Sequence, residues 1–233
     1  MAIEANEGKA LETVVDSVRY QRIPVRTRLV GADDDIVEVV STYAGEQVRD
    51  GDVVFVTEKI VAITQGRAYP VNSINPRPLA HFLSKYVTKT SYGIGLGMPE
   101  TMEMALRECG TPRILLAAAV SVVSKLLKRS GDFYRVAGEK ARAIDGPTSH
   151  TIPPYNSHVV LGPERPDEVA QVLKSALGGR VDVMIVDIND LGGNILGNTR
   201  GHASDDHMVR VLKDNPLGQK HQSTPIGIIR SLT

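Results

Sequence analysis

Apolar residues recur along the chain with a helical period in some segments and a strand pattern in others, so we expect both helices and strands. The clearest helix is predicted over residues 167–177, with Pro166 in its first turn and Gly178 and Gly179 ending it. Its buried face would carry five apolar residues: Val169, Val172, Leu173, Ala176 and Leu177. Another helix is predicted over about 34–44, after aspartates that would cap its free amides.

Three short apolar stretches predict strands, over residues 53–57, 181–187 and 224–230. The second is apolar at consecutive positions, which is typical of a strand that is buried on both faces. Pro225 would lie among the first residues of the third strand or on a sheet edge. We therefore predict an α+β fold in which mixed sheets are covered by helices.

The middle of the chain favours helices. A short helix is predicted over residues 79–86, and Pro99 suits the first turn of another. Four residues at helical spacing would turn one stripe of that second helix inward: Met102, Ala105, Leu106 and Cys109. We expect a single unit over residues 1–233, with room for a helical lobe at about 76–130.

Composition and charge exclude several classes of protein. The 27 lysines and arginines balance the 27 aspartates and glutamates, so no net field draws nucleic acid or an anionic membrane to the surface. The single cysteine excludes an internal disulfide and a multi-cysteine metal site. The longest apolar run, residues 114–123, is about half of a membrane span. Charged residues also occur among the apolar residues of the first 18 positions, where a signal peptide would have an uninterrupted apolar stretch. We expect a cytoplasmic protein without nucleic-acid or membrane partners.

Asp187 is the first candidate for chemistry, because it would end the buried strand over residues 181–187. Binding crevices in sheets covered by helices open at the carboxyl ends of strands. The polar, glycine-rich residues 188–194 would form a turn there, and Asn189 would add an oxygen ligand for a cation. The alternative is an Asx turn in which Asp187 caps its own loop.

Asp145 is the second candidate. The short apolar approach of Ala143 and Ile144 ends in this carboxylate, which a Gly-Pro turn follows. Two aspartates at strand ends, far apart in sequence, are the pattern of a magnesium or manganese site near a nucleotide, because hard cations prefer oxygen ligands. The alternative is that Asp145 is an ordinary turn residue.

Other short signals match no nucleotide-binding motif. The glycines at 93, 95 and 97 lack the next glycine of the dinucleotide fingerprint, and the chain contains no P-loop. The six histidines show no ligand spacing. The two aspartates therefore remain the main candidates for a metal site.

A set of stretches keeps a characteristic order along the chain: Ile23-Pro24-Val25, Gly31 to Ile36, Asp50 to Val54, Gln65-Gly66-Arg67, Ala143-Ile144-Asp145, Val186 to Asn189, Gly218-Gln219, Pro225 and Arg230. In this order they resemble the coenzyme F-420 gamma-glutamyl ligase family, which joins glutamate to a deazaflavin coenzyme precursor. The resemblance spans nearly the whole chain.

This resemblance implies a fold with two lobes, a homodimer, and the use of GTP or ATP with Mn²⁺ or Mg²⁺. Asp145 and Asp187 match catalytic, metal-binding aspartates, with Asn189 beside the second. The nucleotide would meet seven residues: Ile23, Pro24, Val25, Lys59, Arg67, Gly218 and Gln219. The implied reaction phosphorylates a small carboxylate, and the amino group of an amino acid, expected to be glutamate, then attacks the acyl phosphate to leave an amide.

The chain departs from the family pattern in its positive charge. Ile63 stands where the family usually has a lysine, and Asp190 follows Asn189 where the family tends to have Gly-Arg. Fewer cations weaken phosphate binding and transition-state stabilisation. The alternative function is therefore a homologue that binds a nucleotide or metabolite with little or no ligase activity. A third interpretation is an oligomeric scaffold whose aspartates only cap turns.

Overall fold

The structure is a computed structural model that describes residues 4–87, 95–126, 131–149, 151–189, 192–218 and 222–232. The chain forms two compact units. Unit 1 comprises residues 1–66 and 163–233, and unit 2 comprises residues 67–162. Each unit contains helices and strands, as the predicted α+β fold with two lobes requires.

A six-stranded mixed sheet forms the centre of unit 1. Its strands, numbered through the whole chain, are β1 (Glu12–Val15), β2 (Val18–Val25), β3 (Val53–Thr57), β6 (Asp182–Asn189), β7 (Gly192–Asn198) and β8 (Ile226–Ser231). Their spatial order is β1-β2-β8-β3-β6-β7. Strands β3 and β6 run parallel, and the other neighbouring pairs run antiparallel.

Helices cover both faces of this sheet. One face packs against α1 (Ile36–Ala44), α2 (Glu58–Thr64) and α8 (Pro166–Ala176), and the other packs against α9 (Asp205–Val211). Alternate residues of β3 supply the two cores. Val54 and Val56 belong to the first core, and Val53 and Phe55 belong to the second. Strand β3 is therefore buried on both faces, as its β-branched sequence predicts.

Strands β3 and β8 depend on one close approach. Gly227 lies opposite Phe55 in the register of the two strands. The Phe55 ring is so near that a Cβ atom at position 227 would collide with it. The missing side chain of Gly227 thus makes room for a fully buried aromatic ring at the centre of the sheet.

Unit 2 has its own apolar core and is mainly helical. Its helices are α3 (Pro78–Ser84), α4 (Pro99–Glu108), α5 (Thr111–Leu126), α6 (Asp132–Ala137) and α7 (Glu139–Arg142), and its paired strands are β4 (Ala68–Pro70) and β5 (His158–Val160). Residues 76–130, the range of the expected helical lobe, fall inside this unit. Within the described ranges, no helix combines the length and the apolar character needed to cross a bilayer.

Several predicted elements lie where the sequence places them. Strand β3 covers the predicted residues 53–57, and α4 begins at Pro99. Helix α8 begins at Pro166, and the left-handed Gly178 and Gly179 follow it. Proline at the start and glycine past the end are the expected boundary residues of a helix.

The buried face of α8 is predicted only in part. Ala170, Leu173 and Leu177 are buried, whereas Val172 is 54% exposed and Ala176 is also exposed. The prediction that Val172 and Ala176 line the buried face is therefore wrong. Each helical residue is rotated by about 100° from the previous one, so Val172 lies to the side of the stripe through Leu173.

The acidic stretch before α1 confirms the capping prediction for one aspartate. Asp35 Oδ1 accepts hydrogen bonds from the amides of Val37 and Glu38. Asp34 instead accepts hydrogen bonds from the Arg28 guanidinium and the Gly31 amide, and these lower the pKa of Asp34 to about 2. The helix accordingly begins at Ile36, two residues later than predicted.

A buried ion pair joins the amino end of β3 to the carboxyl end of β8. Arg230 Nε donates to Asp52 Oδ1 at 2.9 Å, and Arg230 Nη2 donates to Asp52 Oδ2 at 2.6 Å. The Arg230 and Asp52 side chains are 9% and 3% exposed. The Arg49 amide also donates to Asp52, and Arg230 also donates to the Gln47 carbonyl. Removing either charge would leave the other buried without its counterion.

We expect the Asp52→Asn variant to lose about 3 to 5 kcal/mol of unfolding free energy, because it leaves the Arg230 charge buried and uncompensated. Urea unfolding followed by circular dichroism measures the loss. The matched control is Glu168→Gln, which breaks a pair with Arg165 whose side chains are 66% and 73% exposed. That control should lose less than about 1 kcal/mol. Equal losses in the two variants would contradict the structural role of Asp52.

His202 connects the beginnings of α8 and α9. Its Nδ1 lies 2.6 Å from Asp205 Oδ2, and its Nε2 lies 3.3 Å from Asp167 Oδ1. The hydrogen bond to Asp205, reinforced by Asp167, raises the pKa of His202. Asn198 bridges the same two carboxylates, because its backbone N–H donates to Asp167 and its side-chain Nδ2 donates to Asp205.

We expect the His202→Gln variant to be less stable than the wild type at acid pH and equally stable at alkaline pH. A raised folded-state pKa stabilises the native state fully below the unfolded value of about 6.5, and the contribution is lost as the pH rises through the folded value. Because the His202 side chain is 55% exposed, the difference should stay below about 1 kcal/mol. Urea unfolding from about pH 5 to pH 9 checks this, and a difference that grows with pH would contradict it.

Candidate functional site

The carboxyl ends of the parallel strands β3 and β6 meet at one edge of the unit 1 sheet. Thr57 lies opposite Val186 in the last registered pair, so Glu58 and Asp187 are the next residues on the two strands' paths. Neighbouring strands lie about 4.8 Å apart. The fold therefore brings Asp187 close to the start of α2, which contains Glu58 and Lys59.

Two antiparallel strands bring further chain segments to the same edge. Val25, at the end of β2, lies opposite Ile226, at the start of β8. The Thr57 amide donates to the Pro225 carbonyl at 2.9 Å. We call this set of chain ends the carboxyl edge, and it comprises residues 24–27, 57–59, 187–189 and 222–225.

Asp187 and Asn189 lie on a β-hairpin, which corrects the sequence prediction. The prediction that the strand ends at Asp187 and that residues 188–194 form a turn is wrong, because β6 continues to Asn189 and pairs there with Gly192 of β7. Gly193 permits this pairing, since a Cβ atom at that position would collide with the opposite strand. The Asp187 side chain is exposed and Asn189 is half-buried. A hydrogen-bonded ladder, rather than a loop, therefore presents both residues.

Helix α2 separates a charged start from an apolar interior. Glu58 is 9% exposed and Lys59 is half-buried. The next four residues, Ile60 to Ile63, are buried, and Ile63 is 3% exposed. Position 63, where the resemblance implies a lysine, is thus an apolar interior position in this chain. On this helix, Lys59 supplies positive charge at the carboxyl edge.

Glu58 is a neighbour of the candidate site that the sequence analysis does not select. It follows the buried strand β3 at the same level at which Asp187 follows Val186 on β6. An acidic residue directly after a buried strand is the same signal that selects Asp187. The sequence therefore contains the signal that would select Glu58. The pairing of β3 with β6 shows that Glu58 and Asp187 follow neighbouring strands.

Two of the three residues predicted to meet the nucleotide from β2 have buried side chains. Ile23 and Val25 are 3% and 1% exposed and belong to the sheet core. Pro24 is half-buried and lies beyond the residues of β2 that pair with β1. The N–H that proline lacks is therefore not needed for a hydrogen bond to β1. A ligand at this strand would meet the Pro24 ring or the backbone rather than the two aliphatic side chains.

Gly218 lies on the loop that leads to β8. Its φ angle is 68°, in the left-handed region that favours glycine. The Gly218 amide donates to the Asn215 carbonyl, and the Asn215 side chain donates back to the Gly218 carbonyl, both at 3.0 Å. Gln222 is so close that a Cβ atom at position 218 would collide with its side chain. Gly218 thus adjoins the carboxyl edge, while Gln219 lies outside the described residues.

Asp145 and Arg67 flank β5 in unit 2. Asp145 and Val160 exchange two backbone hydrogen bonds of 2.8 and 2.9 Å. On its other side, Val160 pairs with Ala68, the residue after Arg67. The Asp145 side chain is exposed. The Asp145 backbone therefore pairs with β5 on the side opposite β4, which Arg67 directly precedes. Asp145 and Asp187 belong to different units.

Arg67 is held inside unit 2 by two acceptors. Its Nε donates to the Gly162 carbonyl at 2.7 Å, and its Nη2 donates to Glu108 Oε1 at 2.8 Å. Burial favours a higher pKa for Glu108, but hydrogen bonds from Lys140 and Arg67 outweigh it and leave the pKa lowered. With only 11% of its side chain exposed, Arg67 is engaged in the packing of unit 2.

The oxygen donors of Asp145, Asp187 and Asn189 have the chemistry of a hard-cation site. Both aspartate side chains are exposed. Among the residues that the structure describes, no three histidine, cysteine, aspartate or glutamate side chains are grouped as a complete metal site. Asp187 and Asn189, two positions apart on β6, offer oxygen donors of the kind that Mn²⁺ and Mg²⁺ prefer, and these ions usually take few protein ligands.

Comparisons with known proteins point to the same family as the resemblance. A family model described as F420-0:Gamma-glutamyl ligase matches residues 24–202. A curated protein of Methanopyrus kandleri, named Coenzyme F420:L-glutamate ligase, is 24% identical over 197 residues. The alignment covers 84% of this chain, and the chain spans 65% of the length of that relative. The matched range includes Lys59, Arg67, Asp145 and Asp187 and ends before Gly218.

We expect the Arg67→Leu variant to lose about 1.5 to 3 kcal/mol of unfolding free energy, because it removes hydrogen bonds to a carboxylate and a backbone carbonyl. Denaturant unfolding measures the loss. The matched control is Arg142→Leu, which breaks a pair with Glu139 whose side chains are 57% and 62% exposed. Unchanged stability of Arg67→Leu together with lost nucleotide binding would instead assign the guanidinium to the nucleotide.

Proposed function

The chain belongs to the F420-0:gamma-glutamyl ligase family, and we propose that it joins glutamate or a similar amino acid to a small carboxylate substrate. The family match supports the reaction class. The carboxyl edge supports the location, because it gathers Asp187, Asn189, Lys59 and the neighbourhood of Gly218 from separate parts of the chain. This convergence is the observation that carries the proposal.

The proposed reaction has two steps. A carboxylate oxygen of the acceptor attacks the γ-phosphorus of GTP or ATP, and the nucleoside diphosphate leaves. The amino nitrogen of the second substrate then attacks the acyl phosphate carbon, inorganic phosphate leaves, and the nitrogen loses a proton as the amide forms. Phosphoryl transfer of this kind depends mainly on positioning and on compensation of negative charge.

Asp145, Asp187 and Asn189 would hold Mn²⁺ or Mg²⁺ through their oxygen atoms. Such an ion supplies neutralisation and alignment of the transferring phosphoryl group. Lys59 adds a positive charge at the carboxyl edge, and Pro24 with the backbone of β2 would provide a surface against which a base or substrate ring can pack. The hairpin of β6 and β7 keeps Asp187 and Asn189 in fixed register, which orients their oxygens before the substrates arrive.

A second candidate function is a homologue that binds a nucleotide or metabolite with little or no turnover. The observation that favours it is the apolar interior position of Ile63, which is 3% exposed. A lysine there would be expensive to bury without a partner, so position 63 does not supply the cation that the resemblance implies, and Lys59 is the lysine of α2. Loss of such a charge affects the transition state more than ground-state binding when charge develops during transfer.

The proposal also includes a homodimer, as the resemblance implies. Analytical ultracentrifugation of the full chain measures the oligomeric state directly. A monomer at micromolar concentration would remove the homodimer from the proposal without affecting the reaction class.

We expect the wild type to bind GTP or ATP in the presence of Mn²⁺, as measured by isothermal titration calorimetry, and to form an amide from glutamate and F420-0, as measured by mass spectrometry. Asp187→Asn and Asp145→Asn should each lower kcat/KM about 100-fold, because each removes a carboxylate ligand of the cation that would compensate the charge of the transferring group. The matched control is Asp50→Asn, whose side chain is 86% exposed and which precedes the amino end of β3. This control should keep the wild-type rate.

The outcomes separate the two candidate functions. Absence of binding for both nucleotides with Mn²⁺ contradicts the ligase and the nucleotide-binding homologue alike. Binding without phosphate release, across a panel of amino acids and small carboxylates, favours the second candidate. Turnover that Asp187→Asn and Asp145→Asn leave intact would keep the ligase and remove the two aspartates from its site.

A further inference from the structure

His207 of α9 is hydrogen-bonded through both of its ring nitrogens. Tyr20 Oη lies 2.9 Å from His207 Nε2, and Asp16 Oδ2 lies 3.1 Å from His207 Nδ1. The Tyr20 and His207 rings meet edge to face, with centroids 5.7 Å apart. Tyr20 lies on β2 and Asp16 lies in the turn before it, so the fold joins a hairpin near the amino terminus to a helix near the carboxyl terminus.

Asp16 favours one tautomer of His207. A carboxylate only accepts hydrogen bonds, so the 3.1 Å contact between Asp16 Oδ2 and His207 Nδ1 is a hydrogen bond when Nδ1 carries the proton. The lone pair of Nε2 then accepts the Tyr20 hydroxyl proton. This is the arrangement of a nucleophile, a general base and a group that orients the base.

A two-residue hairpin turn positions Asp16. Asp16 and Ser17 form the turn between the paired residues Val15 and Val18. Their φ angles are 50° and 68°, both in the left-handed region. Turns of this kind are usually built from Asn-Gly, and neither residue here is glycine. The turn therefore fixes the position of Asp16 beside His207.

Arg210 adds positive charge to the same cluster. Its Nη2 donates to Asp16 Oδ2 at 2.6 Å and lies 3.4 Å from His207 Nδ1. The Arg210 side chain is 55% exposed, and a guanidinium carries five N–H donors. Arg210 therefore has donors available for the oxygens of an anionic group that approaches His207.

The cluster is separate from the carboxyl edge. Tyr20 lies near the start of β2, and Val25, at the other end of the strand, reaches the carboxyl edge. Five residues of extended strand span about 17 Å. The cluster consequently takes no part in the proposed ligase reaction.

We infer that Tyr20, His207 and Asp16 form a second reactive site, at which Tyr20 is a nucleophile toward an activated phosphoryl donor. The Tyr20 O–H bond breaks as its proton moves to His207 Nε2. Tyr20 Oη bonds to phosphorus, and the bond from phosphorus to the donor's leaving oxygen breaks, with its electron pair going to that oxygen. Asp16 stabilises the imidazolium, Arg210 binds the phosphoryl oxygens, and the product is phosphotyrosine.

The test compares Tyr20 with Tyr86 in the full-length wild type. Tyr86 is 64% exposed, and its ring contacts Phe82. The chain is incubated with an arylsulfonyl fluoride and, separately, with acetyl phosphate, and peptide mass spectrometry follows modification of each tyrosine. We expect Tyr20 to react about tenfold faster than Tyr86 or more with both reagents, since a positioned base accelerates such steps about 100-fold or more.

Variants separate base catalysis from a structural contact. His207→Gln can still accept a hydrogen bond from Tyr20 but does not act as a base, so it should slow Tyr20 modification about tenfold or more without changing Tyr86. Arg210→Gln should slow the reaction with acetyl phosphate more than that with the neutral sulfonyl fluoride. The control is Ser17→Gly, which relieves the turn and leaves the three reacting side chains in place, so it should react as the wild type does.

Each outcome decides the inference. Tyr20 modification no faster than that of Tyr86, with either reagent, overturns it, and this comparison needs no variant to fold. Fast modification that His207→Gln leaves unchanged also overturns it, because the imidazole would then be only a hydrogen-bond partner. Fast modification that depends on His207 supports the relay, and thermal unfolding of each variant confirms that the native fold is retained.

Discussion

Enclosure of β3 on both faces is the constraint on which unit 1 depends. Neighbours on both sides satisfy the β3 backbone, and Val53 to Val56 are almost fully buried. The close contact of Phe55 with Gly227 leaves no room for a side chain between β3 and β8. An interior of this kind excludes unpaired polar groups. The polar chemistry of the central strands is therefore confined to their ends, where Asp52 pairs with Arg230 and where Asp187 reaches solvent.

The residues that carry the family resemblance serve two physical purposes. Asp52, Arg230 and Arg67 have buried charges that are satisfied within the chain. Breaking such a pair destabilises the folded state, because it leaves a buried charge uncompensated. Asp145 and Asp187 are exposed, although the backbone of Asp187 is paired within the sheet and that of Asp145 exchanges two hydrogen bonds with Val160. The residues that carry the family resemblance thus include both scaffold residues and candidate ligand residues. Their burial in the structure distinguishes the two groups.

Local rules predicted the elements, and long-range pairing decided the site. The positions of Pro99, Pro166 and the β-branched run of β3 were sufficient to place two helix starts and one strand, because each signal acts on its own backbone. The sequence gives no sign that residues 192–194 continue as a strand, since this depends on what Gly193 faces across the hairpin. The same limit applies to Tyr20 and His207, which are 187 positions apart and meet only because α9 packs on the sheet face against which Tyr20 lies.

The charge distribution at the carboxyl edge bears on how a nucleotide would bind there. Glu58 and Asp187 are acidic residues at the ends of adjacent strands, and the apolar Ile63 stands where the resemblance implies a lysine. At an effective dielectric constant near 20, one unit of like charge about 6 Å away opposes a phosphate by roughly 3 kcal/mol. The positive charge of Lys59 offsets one such repulsion, while a triphosphate carries several negative charges. In the proposed ligase, a divalent cation must therefore arrive with the nucleotide or before it, and affinity for the nucleotide alone should be low.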